Sequence, residues 1–165
     1  MAGVKLKFDE NSNKMTLKIL ILCTGNTCRS QMAQGFLQSF DPGLLVSSAG
    51  TNPGDSINEK AVRVMKETGI DISGNKPKPV EVFINDAWDY VITVCDEANE
   101  TCPVFIGKVK HRLHIGFEDP SKATGSEVYI MNEFRRVRDE IQEEFQKLYN
   151  NNLKQDPDIR KNQSN

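Results

Sequence analysis

At 165 residues, with 38% apolar and 27% charged side chains, the chain is long enough for one domain built on a buried sheet. A net charge of −2 gives no electrostatic reason to expect nucleic acid or an anionic membrane as partner, so an anionic substrate has to be held by local groups. Residues 1–14 are polar and mixed in charge, without the apolar core of a secretion signal, and no later run is long enough to span a bilayer, so a cytoplasmic protein is expected.

Residues 1–15 read as a short tail. Leu17, Ile19, Leu20, Ile21 and Leu22 form a nearly continuous apolar run, the pattern of a strand buried on both faces of a parallel sheet. Met32, Phe36, Leu37 and Phe40 then recur at helical spacing. A second short strand is expected at 44–48. Ser56-Ile57-Asn58-Glu59 has the form of a capping box and opens a helix that stops at Gly69. Residues 70–80 are rich in Gly, Lys and Pro and read as loop, and 82–87 as a short helix or turn. Trp88 to Val94, with Tyr90, Val91 and Ile92, has the β-branched and aromatic bias of a third strand. After a polar, mobile connector from Cys95 to Cys102, residues 104–106 and 112–115 are the remaining strand candidates. A final helix from Ser126 to about Tyr149 carries Ile130, Phe134, Val137, Ile141, Phe145 and Leu148 on one stripe. Residues 151–165 are expected to be a disordered polar tail.

Strands alternating with helices imply a single α/β domain over 16–150: a doubly wound parallel sheet of about four strands with helices on both faces. In such sheets ligands sit outside the carboxyl ends of the strands. Cys23, Gly50, Cys95 and Asp119 each follow a predicted strand, so parallel strands would bring all four to one edge.

The segment Cys23-Thr24-Gly25-Asn26-Thr27-Cys28-Arg29-Ser30 lies between the first strand and the first helix. Successive amides of a Gly-containing loop, backed by a helix N-terminus, converge on one spot that attracts an oxyanion and favours a thiolate. Arg29 offers a planar fork to two oxygens, and the Ser30 hydroxyl is close enough in sequence to hydrogen-bond the Cys23 sulfur. One cysteine at a strand end more commonly means packing. Here Gly25, Arg29, Ser30 and the position after a strand converge on a nucleophile, Cys23, facing an anion bound by residues 24–29.

Expelling an oxygen from a tetrahedral oxyanion requires a proton donor. Asp119-Pro120 is the candidate, with Phe117 expected to keep the carboxyl partly dry; Glu118 is its neighbouring competitor, and a plain turn is the alternative reading. Four cysteines in a cytoplasmic chain are expected to be reduced thiols, and their spacing lacks the tight pairs of zinc sites, so no metal is expected. If the 95–102 connector is mobile, Cys95 can attack a sulfur on Cys23 and pass its disulfide to Cys102; two unrelated free thiols remain the alternative. His111 and His114, three apart on a predicted strand, fall on opposite faces, where packing or surface roles are expected.

Cys23 to Ser30 with Gln31-Met32-Ala33, Ser47-Ser48-Ala49-Gly50-Thr51, Val94-Cys95-Asp96 and Glu118-Asp119-Pro120 together resemble the thioredoxin-coupled arsenate reductases built on the low-molecular-weight tyrosine phosphatase fold. The resemblance spans about 17–149. It implies that arsenate binds the loop, that Cys23 attacks arsenic, that Asp119 protonates the departing oxygen, and that a disulfide passes from Cys23–Cys95 to Cys95–Cys102 before thioredoxin resets it. It places Cys28 outside that relay and implies no bound cofactor; a monomer is the expectation. Some relatives bind potassium through the equivalent of Asn26 and an acidic residue on the first helix, where this chain has the uncharged Gln34. The alternative function is a phosphatase acting on phosphotyrosine or a small phosphate ester with Cys23, Arg29 and Asp119 alone. A third is a non-catalytic oxyanion or redox sensor.

Overall fold

The computed structural model describes residues 16–160; the predicted N-terminal tail and the last five residues lie outside them. The sheet is built from β1 (Lys18–Cys23), β2 (Leu45–Gly50), β3 (Trp88–Thr93) and β4 (Val109–His114), in the order β2-β1-β3-β4. All three pairings are parallel, with Cys23 level with Gly50 and Leu22 level with Thr93. The central strand β1 is buried on both faces, as its apolar run requires. Its odd positions, Ile19 and Ile21, join Met32, Phe36, Ala61, Met65, Phe134, Ile141 and Phe145 beneath the helices α1 (Arg29–Phe40), α2 (Glu59–Lys66) and α4 (Glu127–Leu148). Its even positions, Leu20 and Leu22, meet Val80, Trp88, Val91 and Phe105 on the other face, which the 3-10 turn Val80–Phe83 and the chain entering β4 cover.

The stripe of α4 is buried as predicted from Phe134 to Leu148, while in the first turn Met131 is buried and Ile130 only partly so, and Ser126 caps the helix by accepting from the Tyr129 amide. Helix α2 starts two residues later than the capping box implies: Asn58, not Ser56, accepts from the amides of Lys60 and Ala61. Its exit is left-handed at Gly69, φ 83°.

Three expectations are corrected. The 95–102 connector is not irregular: it holds a helix, α3 (Asp96–Thr101), with Cys95 at its N-cap and Cys102 at its C-cap. Its sequence has no apolar stripe to announce it; Ala98, fully buried, is its one anchor in the core. Residues 104–106 form no strand, since Val104 and Ile106 are 85% and 77% exposed and only Phe105 turns inward. The described part of the C-terminal tail is ordered. A π-helical turn, Tyr149–Leu153, buries Leu153, and beyond it Asp156 accepts from the Tyr90 hydroxyl while Asp158 pairs with Lys110. Among the described residues no helix is long and apolar enough to cross a membrane.

Candidate active site

The loop between β1 and α1 is held from outside by its carbonyls. Those of Cys23, Thr24, Gly25 and Thr27 accept from the amides of Thr51, Asn52, Gly54 and Asn58 at 2.9–3.1 Å. With the carbonyls turned outward, amides are left to face inward, and the Asn26 amide donates to the Cys23 sulfur at 3.1 Å. The turn closes at Asn26, the one non-glycine residue with positive φ (53°) among the described residues. Asn26 is fully buried, and its side chain binds three segments. Nδ2 donates to the Ser30 hydroxyl (2.7 Å) and the Ser48 hydroxyl (2.9 Å), and Oδ1 accepts from the Lys78 amide (3.0 Å). The Gln31 side chain donates to the Asn26 carbonyl. Gly50 is required by close approach: a Cβ there would stand 2.4 Å from the Thr24 carbonyl oxygen.

Cys23 lies at the floor of this loop, 2.9 Å from the Ser30 hydroxyl. Helix α1 has no acidic residue in its first turn and no side-chain cap, which leaves its positive end to the loop. Burial opposes the donors that are expected to favour a thiolate. Burial pushes the Cys23 thiol up, and outweighs the Ser30 hydroxyl and the Ser30 and Asn26 amides that pull it down; the nearby Cys95 pushes it up further. Cys28, buried at the N-cap of α1, is also raised, by burial first and then by the charges of Asp119 and Cys23. It reads as an inert thiol.

The rule of a shared sheet edge holds. Arg29 reaches across from α1 to the segment after β4, where Nη1 donates to the Phe117 carbonyl (3.1 Å) and Nη2 stands 3.6 Å from the Asp119 carboxylate. Asp119 also accepts from the amide and hydroxyl of Ser121, capping a 3-10 turn, so its turn role and its place at the site coexist. Glu118, which also lines the cavity, is paired with Arg136 of α4 at 2.8 Å. The Phe117 ring packs against Phe145, and the residue lines the same cavity as Asp119.

Cys95 opens onto the same mouth. Its sulfur lies 3.4 Å from the Thr24 hydroxyl and accepts from the Ala98 amide. Thr24 Oγ1 also donates to Glu97, so the side chain of this loop residue serves the second thiol rather than the loop centre. Thr24, Arg29, Cys95, Glu97, Asp119 and Lys122 all line one cavity of about 390 Å³. Cys102 is elsewhere, packed against the second core cluster; burial raises its pKa, and Arg112 beside it acts in opposition.

Sequence reasoning named Gln31, Gln34 and Ser48 only as motif positions and missed the polar layer they form, as it missed Arg112 at Cys102. Gln34 accepts from Ser48, whose hydroxyl meets Asn26, so the polar groups near the questioned potassium position are joined to one another. The one cue was a run of polar residues, Gln31 and Gln34, on the otherwise apolar face of α1. Among the described residues no three His, Cys, Asp or Glu side chains converge in a way that could hold a metal ion.

The sequence profile of low molecular weight phosphotyrosine protein phosphatases matches residues 18–160. An arsenate reductase of Bacillus subtilis is 44% identical over 124 residues, covering 74% of this chain and 88% of that one. An arsenate reductase of Shouchella clausii is 43% identical over 129 residues, covering 77% and 91%. Among solved structures, an arsenate reductase in the phosphate-binding state superposes with a TM-score of 0.68 at 31% identity, over 81% of this chain and 96% of that one. A loop, an arginine and an acid gathered at one sheet edge, and likeness along nearly the whole described length, make this chain a member of the low molecular weight phosphotyrosine protein phosphatase family.

Proposed function

We propose that the chain reduces arsenate to arsenite, with thioredoxin as the source of electrons. The observation that carries this reading is the second thiol at the mouth of the loop: Cys95 lines the same cavity as Arg29 and Asp119, and Thr24 bridges it to the loop. Phosphate-ester hydrolysis has no use for it.

In the proposed sequence the oxyanion enters the loop and is held by its amides and by Arg29. A dianionic arsenate can take the Cys23 proton on binding, which the raised pKa of that thiol calls for. The Cys23 sulfur then forms a bond to As(V), and the displaced oxygen leaves as water with a proton delivered through Asp119. Cys95 next attacks the Cys23 sulfur. The electron pair of the S–As bond passes to arsenic, which departs as As(III), and a Cys23–Cys95 disulfide remains. Cys102 attacks Cys95, returns Cys23 to the thiol state, and leaves a Cys95–Cys102 disulfide for the thioredoxin dithiol to reduce.

The last exchange demands movement. Cys95 and Cys102 cap opposite ends of the six-residue α3, so that the rise of the helix between them separates their Cα atoms by roughly 10 Å. A disulfide tolerates about 7 Å at most, so α3 has to unwind. A six-residue helix is suited to that, being marginal without tertiary support. A relay of three thiols, with Cys28 also unpaired with another cysteine, fits a cytoplasmic setting.

A phosphatase acting through Cys23, Arg29 and Asp119 is the second reading, favoured by the shared loop and acid. One assay separates the two: purified protein with thioredoxin, its reductase and NADPH, comparing arsenate with para-nitrophenyl phosphate. Arsenate-dependent NADPH oxidation that is abolished in Cys95→Ser and Cys102→Ser, with phosphate-ester cleavage retained in both, is the expected result. NADPH oxidation at the unmodified rate in either variant would refute the relay.

A further inference from the structure

His114 ends β4 and faces α3 rather than the core. Its Nε2 lies 3.0 Å from the Asp96 carboxylate in the first turn of α3, and its Nδ1 lies 2.8 Å from the Thr93 hydroxyl at the end of β3. A carboxylate can only accept, so Nε2 carries the hydrogen; in the neutral ring Nδ1 then accepts from Thr93. The same Thr93 hydroxyl stands 3.3 Å from Asn99 Oδ1, one turn further along α3. One imidazole thus joins the carboxyl ends of β3 and β4 to the N-terminal turn of α3, next to Cys95. Few other contacts hold that helix: Ala98 is its buried residue, Cys95 caps it, Glu97 accepts from the Thr24 hydroxyl, and its last turn has no basic side chain.

We propose that His114 is a positioning residue that latches α3 in its wound form, keeping Cys95 beside Thr24 for the attack on Cys23 and setting how readily the helix opens for the Cys95–Cys102 exchange. The proposal rests on the relay described above for its purpose, but not for its test. His114 touches neither the loop nor either sulfur; it acts through Asp96 and Thr93. The carboxylate side of the pair is 88% exposed, so the latch is a weak one that a short helix can break during turnover.

The test uses two readouts that need no arsenate. Hydrogen exchange of the α3 amides in His114→Ala should speed up by about fivefold, the scale of one exposed ion pair with a supporting hydrogen bond, while exchange in β1 and α4 stays at the wild-type rate. In a Cys23→Ser background, diamide should form the Cys95–Cys102 disulfide faster by a similar factor, followed by peptide mass spectrometry. In that step the two thiols give two electrons and two protons to the azo bond of diamide. His114→Gln, which can keep a donor toward Asp96, should recover part of both rates.

Asp96→Ala breaks the pair from an exposed position without altering the sheet, and covers the case in which His114→Ala does not fold. It should also speed both readouts, and the double variant should add less than the two singles, since they remove one shared contact. Wild-type exchange in α3 in either single variant, or acceleration spread evenly over the whole molecule, overturns the latch. A chain without arsenate reductase activity but with these rates changed would overturn the functional reading and leave the latch standing.

Discussion

Gly50→Ala is the sharpest test of how the loop is built. The added Cβ would meet the Thr24 carbonyl oxygen at 2.4 Å and the Gly25 carbonyl carbon at 3.1 Å, where ordinary contact begins near 3.4 Å. Thr24 would have to retreat by about 1 Å. It cannot rotate away, because the obstacle is main chain, and its carbonyl is already bonded to the Asn52 amide at 2.9 Å. The displacement falls between Cys23 and the hydroxyl that contacts Cys95, so it moves both thiols relative to the bound oxyanion. A 1 Å misplacement of reacting groups costs on the order of a hundredfold in rate, and overpacking of this kind about 1–3 kcal/mol in stability.

Para-nitrophenyl phosphate cleavage is the assay of choice, because it reports on the loop without the relay; kcat/KM should fall about a hundredfold. Gly54→Ala is the internal comparison. There the new Cβ meets the Thr27 Cγ2 methyl at 2.7 Å, a side chain with room to turn, and a loss of no more than about fivefold is expected. If Gly50→Ala keeps kcat/KM within about threefold of the unmodified protein, the close approach of Gly50 does not position the loop, and the argument is wrong.

Asn26→Ala should lower unfolding free energy by about 2–3 kcal/mol in urea titrations, since it strips partners from Ser30, Ser48 and the Lys78 amide at a buried site. A loss below about 0.5 kcal/mol would show the network to be replaceable. The raised Cys23 pKa carries its own consequence for pH. The reactive form is the thiolate, so Cys23 alkylation by iodoacetamide should climb about tenfold per pH unit from neutrality to at least the ordinary thiol value of 9.0. A plateau reached below pH 6 would mean that the loop donors outweigh burial.

The parallel sheet was legible because β1 is apolar on nearly every position, which only a strand covered on both faces tolerates. That inference carried the site with it. Once the strands run parallel, Cys23, Cys95 and Asp119 share an edge whatever lies between them. Local chemistry was harder to read. Helix α3 has no periodic apolar face, because its stability comes from a cap, one alanine and a contact with His114 that is remote in sequence. The β-branched Val104 and Ile106 imitate a strand, yet both side chains face solvent and only Phe105 is gathered into the core. The raised Cys23 pKa was missed for a similar reason: counting donors along the loop says nothing of how deeply the sulfur is buried.

The two capping cysteines of α3 belong to different halves of the molecule, Cys95 to the helix-covered side of the sheet and Cys102 to the opposite one. Under the proposed relay, a protein donor working from the Cys102 side would have no reason to enter the anion pocket. Recharging and substrate loading would then use separate doors, and a bulky electron carrier would leave the way of the small inorganic guest clear.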